Sequence, residues 1–94
     1  MAPQPRDPAS TILLVEDQAI IAMAQADVIR SAGYEVITAL SGEEAVELAT
    51  RDDRVDLVLM DINLGSGIDG TVAAERILER REVPIVFVSA YSDQ

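Results

Sequence analysis

Asp56 to Asp61 reads DLVLMD, and the residues after it, Ile62 to Gly70, read INLGSGIDG. A short branched apolar run that stops on an acid, followed by a glycine-rich turn, fits a buried strand delivering a carboxylate into a loop. The same arrangement occurs earlier. Thr11 to Val15 (TILLV) is a continuous apolar run, too short for a helix, and it ends in Glu16-Asp17. Two buried strands that both end in acidic residues decide the fold class, because such strands belong to parallel sheets covered on both faces.

Helices are expected between the strands. Ala19 to Ala32 places Ile21, Ala24, Val28 and Ala32 at helical spacing as the inward face, with Gly33 as the stop. Tyr34 to Leu40 (YEVITAL) reads as a second strand. Ser41-Gly-Glu-Glu44 has the spacing of a capping box that opens a helix with Ala45, Leu48 and Ala49 inward. A third helix is expected over about Thr71 to Arg81, and Val83 to Val88 (VPIVFV) reads as a fourth strand that ends in Ser89, with Pro84 tolerated at its start. The order β-α-β-α-β-α-β implies an α/β doubly wound parallel sheet with right-handed crossovers. Residues 1–10 (MAPQPRDPAS), with Pro3, Pro5 and Pro8, read as a disordered leader, and the domain is expected over residues 11–94.

Composition narrows the function. The chain has 94 residues, 49% of them hydrophobic, and a formal net charge of −10, with arginine as its only basic residue. One core is all that length supports, and so acidic a surface argues against direct binding of nucleic acid. The absence of cysteine excludes thiol chemistry and thiolate metal sites. Nothing approaches an apolar stretch of roughly 18 residues or a signal peptide, so a soluble cytoplasmic protein is expected.

The chemistry gathers at the strand ends. Ligands of open parallel sheets bind beyond the C-terminal ends of the strands, and Glu16, Asp17, Asp61 and Ser89 all fall there. Converging carboxylates repel unless a cation neutralises them, and magnesium suits an all-oxygen set. Asp17 and Asp61 can supply carboxylates, and a loop carbonyl such as that of Asn63 a neutral oxygen. Phosphoryl transfer is the reaction such a set favours.

Four segments in order, LLVEDQ (Leu13 to Gln18), LVLMDINL (Leu57 to Leu64), Asp69-Gly70 before a helix and VPIVFVSAY (Val83 to Tyr91), resemble the receiver domains of two-component response regulators, from Thr11 onward. The resemblance implies a flavodoxin-like receiver fold with strand order 2-1-3-4-5. It implies that Asp61 accepts a phosphoryl group from a sensor histidine kinase or phosphotransfer protein. Asp17 would ligate magnesium directly, Glu16 through water and Asn63 through its carbonyl, while Ser89 would hold a phosphate oxygen and move inward on phosphorylation. An output domain is implied by the same likeness, whereas self-association is expected through the apolar edge that a truncated sheet would leave.

The chain departs from that pattern in two places. The loop Leu64 to Gly70 lacks the usual Met-Pro-like pair and reaches Asp-Gly one residue late. Receivers also carry a lysine at the end of a fifth strand, whereas this chain has no lysine, so the C-terminal α-β-α portion is expected to be missing, leaving the fourth strand as an apolar edge.

Other readings stand beside this one. A phosphorylation-independent pseudo-receiver would bind partners through its surface alone. A magnesium-dependent hydrolase would want a further acid where Asn63 stands. Gly65 to Gly70 formally matches G-x-G-x-x-G, but that dinucleotide fingerprint belongs after the first strand. Glu16-Asp17 and Asp61 could merely solvate strand ends, Asn63 could be an ordinary loop residue and Ser89 a helix cap. Glu43-Glu44 and Asp52-Asp53 read as solvated surface.

Overall fold

The computed structural model describes residues 10–65 and 67–88. In chain order these form β1 (Thr11–Val15), α1 (Ala19–Ser31), β2 (Glu35–Ala39), α2 (Gly42–Arg51), β3 (Val55–Asp61), α3 (Gly70–Leu78) and β4 (Ile85–Val88). The strands make one wholly parallel sheet in the order β2-β1-β3-β4, the first four places of the expected arrangement. β1 is central, and all five of its residues are buried, as a strand covered on both faces requires. Leu13 pairs with Ile37 on one side and Val58 on the other, and Val15 with Ala39 and Met60.

Alternation along β1 divides the core in two. Leu13 and Val15 join Ala39, Val58 and Met60 in a cluster completed by Ala45, Ala49, Ala73 and Ile77 from α2 and α3. Ile12 and Leu14 turn to the opposite face, where α1 lies with Ala22 and Ala26 buried. The crossovers on either side of β1 therefore run over different faces, and the crevice at that switch opens beyond the ends of β1 and β3.

The inward face of α1 is not the expected one. Ala24 and Ala32 are exposed and Val28 is 70% exposed, because α1 leans toward β2 and lets the small Ala22 and Ala26 approach the sheet. Ala24, Val28 and Ile29 instead flank an open apolar groove of about 340 Å³ floored by Leu14 and Leu59. Gly33 does stop α1: it takes φ +103, in the left-handed region where a side chain is strained, and its N–H donates to Arg30 O at 2.9 Å.

The α2 cap forms as a variant of the capping box. Ser41 Oγ accepts from Glu44 N at 3.0 Å, while Glu44 Oε1 accepts from Leu40 N at 2.9 Å, one residue before the cap. α3 ends at Leu78, short of Arg81, with Glu79 as its C-cap and the N–H groups of Arg80 and Arg81 both turned to Ile77 O; the Arg81 guanidinium serves another purpose. It donates to the carbonyls of Ala49 (3.0 Å), Asp52 (3.2 Å) and Val55 (2.8 Å), tying the chain after α3 to the end of α2 and the start of β3. β4 begins at Ile85, two residues later than expected, although Pro84 O still accepts from Val58 N at 2.9 Å.

Candidate metal and phosphoryl site

Register brings the carboxylates together. Val15 stands opposite Met60, so Glu16 leaves β1 at the level where Asp61 ends β3. Glu16 N still donates to Ala39 O at 3.0 Å, which holds this residue in the sheet and its side chain at the rim. Asp17 follows in the turn to α1. One carboxylate oxygen from each of Glu16, Asp17 and Asp61 lies within 4.8 Å of the others, with Glu16 buried and the two aspartates half-buried. Of the expected residues, these three converge.

Asn63 joins the site through its backbone: its N–H donates to Asp61 Oδ1 at 3.0 Å. That bond fixes the Asp61 carboxylate and leaves Oδ2 for chemistry. Asp69 acts as the N-cap of α3, with Oδ1 accepting from Val72 N (3.0 Å) and Thr71 Oγ1 (2.8 Å), bonds that hold its carboxyl below the ordinary carboxylate range. Ser89 and Ser66 lie outside the described residues, as do residues 1–9. β3 and β4 pair Asp61 with Val88, the residue before Ser89.

Electrostatics fit an all-oxygen cation site. Burial raises the Glu16 carboxyl above its usual value; the N–H of Gln18, 3.0 Å from Glu16 Oε2, opposes the rise, and the Asp61 charge and contacts with both aspartates add to it. A protein that assembles three carboxylates this closely, one of them desolvated, opposes its own charge unless a cation shares the oxygens. With no nitrogen or sulfur donor in the set, the group suits a hard ion such as magnesium. Among the described residues no helix is long and apolar enough to cross a membrane.

Two further contacts were not legible from spacing. Gly65 N donates to Asp17 Oδ2 at 2.7 Å, and Ile68 N donates to Glu43 Oε2 at 3.1 Å. Glu43 is therefore more than solvated surface. The only available signal was the number of glycines between Leu64 and Gly70, which allow close backbone approach without saying to what.

Residues 12–94 match the family model described as the response regulator receiver domain. Among curated proteins, the phyllosphere-induced regulator PhyR of Methylorubrum extorquens is 37% identical over 89 residues, covering 94% of this chain and 33% of that protein. The transcriptional regulatory protein PdtaR of Mycobacterium tuberculosis is 42% identical over 84 residues, 88% of this chain and 40% of that protein. The chain thus spans a third to two fifths of the length of these relatives. Among solved structures, the response regulator TrrA of Thermotoga maritima, in complex with Mg(2+)-BeF, superposes with a TM-score of 0.81 at 33% identity, covering 88% of this chain and 71% of that one. The receiver domain of PhyR from Erythrobacter litoralis gives 0.76 at 36% identity, with 88% and 64% covered.

Proposed function

The chain belongs to the response regulator receiver family, and from that premise we propose that it is a phosphoryl-accepting signalling receiver whose acceptor is Asp61. The observation that carries this reading is the convergence of Glu16, Asp17 and Asp61 beyond the ends of β1 and β3. The donor would be the phosphohistidine of a sensor histidine kinase or phosphotransfer protein. In the transfer, the free Asp61 oxygen attacks phosphorus, a P–O bond forms as the P–N bond breaks, and the imidazole nitrogen keeps the electron pair and takes a proton. Little covalent work falls to the protein beyond placing the nucleophile, and the amide of Asn63 does that by holding Oδ1.

Asp17 and Asp61 would ligate magnesium, Glu16 would act through water, and the Asn63 carbonyl would complete the protein's share. When bound, the ion supplies neutralisation of the charge that gathers on the transferring group. Ser89, next after Val88, would take a phosphate oxygen with its hydroxyl and so report the modification. An output domain or partner switched by the receiver, and action in the cytoplasm, belong to the same proposal.

Incubating the protein with phosphoramidate, a small P–N phosphodonor, tests the reading by intact mass. One added phosphoryl group in magnesium and none in EDTA is expected. No addition in either condition would sink the proposal and favour a phosphorylation-independent interaction module.

A further inference from the structure

The β3–α3 loop is held from both sides by carboxylates. On one side Gly65 N donates to Asp17 Oδ2 at 2.7 Å, and a Cβ at Gly65 would sit 2.6 Å from that same oxygen. Only a residue without a side chain lets the loop amide reach Asp17. On the other side Ile68 N donates to Glu43 Oε2 at 3.1 Å. Gly67 lies against the same carboxylate with φ +73, where a Cβ would meet Glu43 Oε1 at 2.5 Å. A Cβ at Gly42, the residue before Glu43, would come within 2.8 Å of Ile68 O, so α2 and the loop touch backbone to backbone. Glu43 is exposed and lies in the first turn of α2, outside the carboxylate cluster.

We infer that Glu43 is a positioning residue for the metal site: by holding Ile68 it pins the β3–α3 loop so that the Gly65 amide fixes Asp17 Oδ2 and leaves the other Asp17 oxygen to the cation. A carboxylate with one oxygen committed to an N–H has one orientation to offer, and groups that orient a ligand tune the site without touching the ion. Gly65 and Ile68 are three positions apart in the chain, so releasing Ile68 loosens the Gly65 end as well. The inference rests on the magnesium-assisted reading above.

Substitutions at Glu43 separate positioning from charge. Glu43→Ala removes the acceptor and the charge, whereas Glu43→Gln removes the charge and keeps an oxygen for Ile68 N. Magnesium affinity, read by calorimetric titration, is expected to fall about tenfold in Glu43→Ala and to stay within about twofold of wild type in Glu43→Gln. In the metal-free protein the Gly65 amide proton is expected to exchange faster in Glu43→Ala than in wild type. Gly65→Ala is expected to weaken magnesium alone, and adding Glu43→Ala to it should cost little more, since both act through one contact. Equal losses in the two Glu43 variants would mean that the distant charge acts alone and would overturn the inference. So would wild-type affinity and Gly65 exchange in Glu43→Ala. A wild type that binds no magnesium would overturn the metal reading together with this one, whereas the Glu43 comparisons refute the positioning role alone.

Discussion

Asp61→Asn is expected to make the metal-free protein more stable while abolishing its response to magnesium. The substitution is isosteric, and the Asn side-chain oxygen can still accept from Asn63 N, now 3.0 Å from Asp61 Oδ1, so the charge is what changes. Asp61 faces two carboxylates, Glu16 and Asp17, with oxygens no more than 4.8 Å away. At that distance a like-charge pair costs about 0.9 kcal/mol in water and about 3.5 kcal/mol at an effective dielectric constant of 20. Glu16 is buried and Asp17 half-buried, so the two pairs straddle these limits; with solvent screening, a net relief of about 1 to 3 kcal/mol is expected. In a domain of this size each kcal/mol moves Tm by about 4 to 8 °C. Magnesium at a hundred times its Kd would add about 2.7 kcal/mol to the wild type and little to the variant. Thermal and denaturant melts of both proteins, in EDTA and in magnesium, measure all four quantities. A folded Asp61→Asn protein less stable than wild type in EDTA, or one that gains as much from magnesium, would refute the reasoning.

Other perturbations probe other parts of the molecule. Arg81→Met strips three donors from the carbonyls of Ala49, Asp52 and Val55 and is expected to cost about 1 to 3 kcal/mol by denaturant titration, with Arg81→Lys in between; a loss below about 0.5 kcal/mol would show the fork to be dispensable. The Asp52 carboxyl is held down to about 2 by the Arg54 side chain and then by the Arg54 N–H, so the stability it lends is complete above its ordinary value of 3.8 and is lost as pH falls through about 2. Its NMR titration midpoint should move up in Arg54→Ala, only partway because the backbone N–H remains, and an unmoved midpoint would assign the shift elsewhere. A polypeptide of residues 1–94 alone presents β4, with Val86, Phe87 and Val88 exposed, as an edge of the described sheet and is expected to associate with rising concentration in gel filtration with light scattering; a concentration-independent monomer with a sharp melt would contradict this.

What was legible in the sequence follows from how local each signal is. β1 announces itself because a strand buried on both faces must be apolar throughout, β3 because its apolar run Leu57 to Met60 is short and stops on an acid, and the α2 cap because Ser41 and Glu44 are three residues apart. Glu16, Asp17 and Asp61 were legible as a group once both strands were seen to end in acids, since parallel strands deliver their ends to one rim. Strand order came from family resemblance, because pattern alone leaves the order of parallel strands open. The buried face of α1 differs from the expected one because Ala22 and Ala26 carry less hydrophobic weight than Val28, and it is their small size that lets the helix approach. The role of Glu43 leaves no trace in the sequence because its partner is a backbone amide 25 positions away, which no side-chain pattern encodes.

The role proposed for Asp61 is to take the phosphoryl group. It is tested most directly by phosphorylating the protein with acetyl phosphate in magnesium, trapping the acyl phosphate with borohydride and mapping the reduced residue by peptide mass spectrometry. Asp61 as the acceptor requires one modified position, Asp61, and no modification in Asp61→Asn. Reduction at Glu16, Asp17 or another carboxylate in the wild type, or equal labelling of the two proteins, would contradict it.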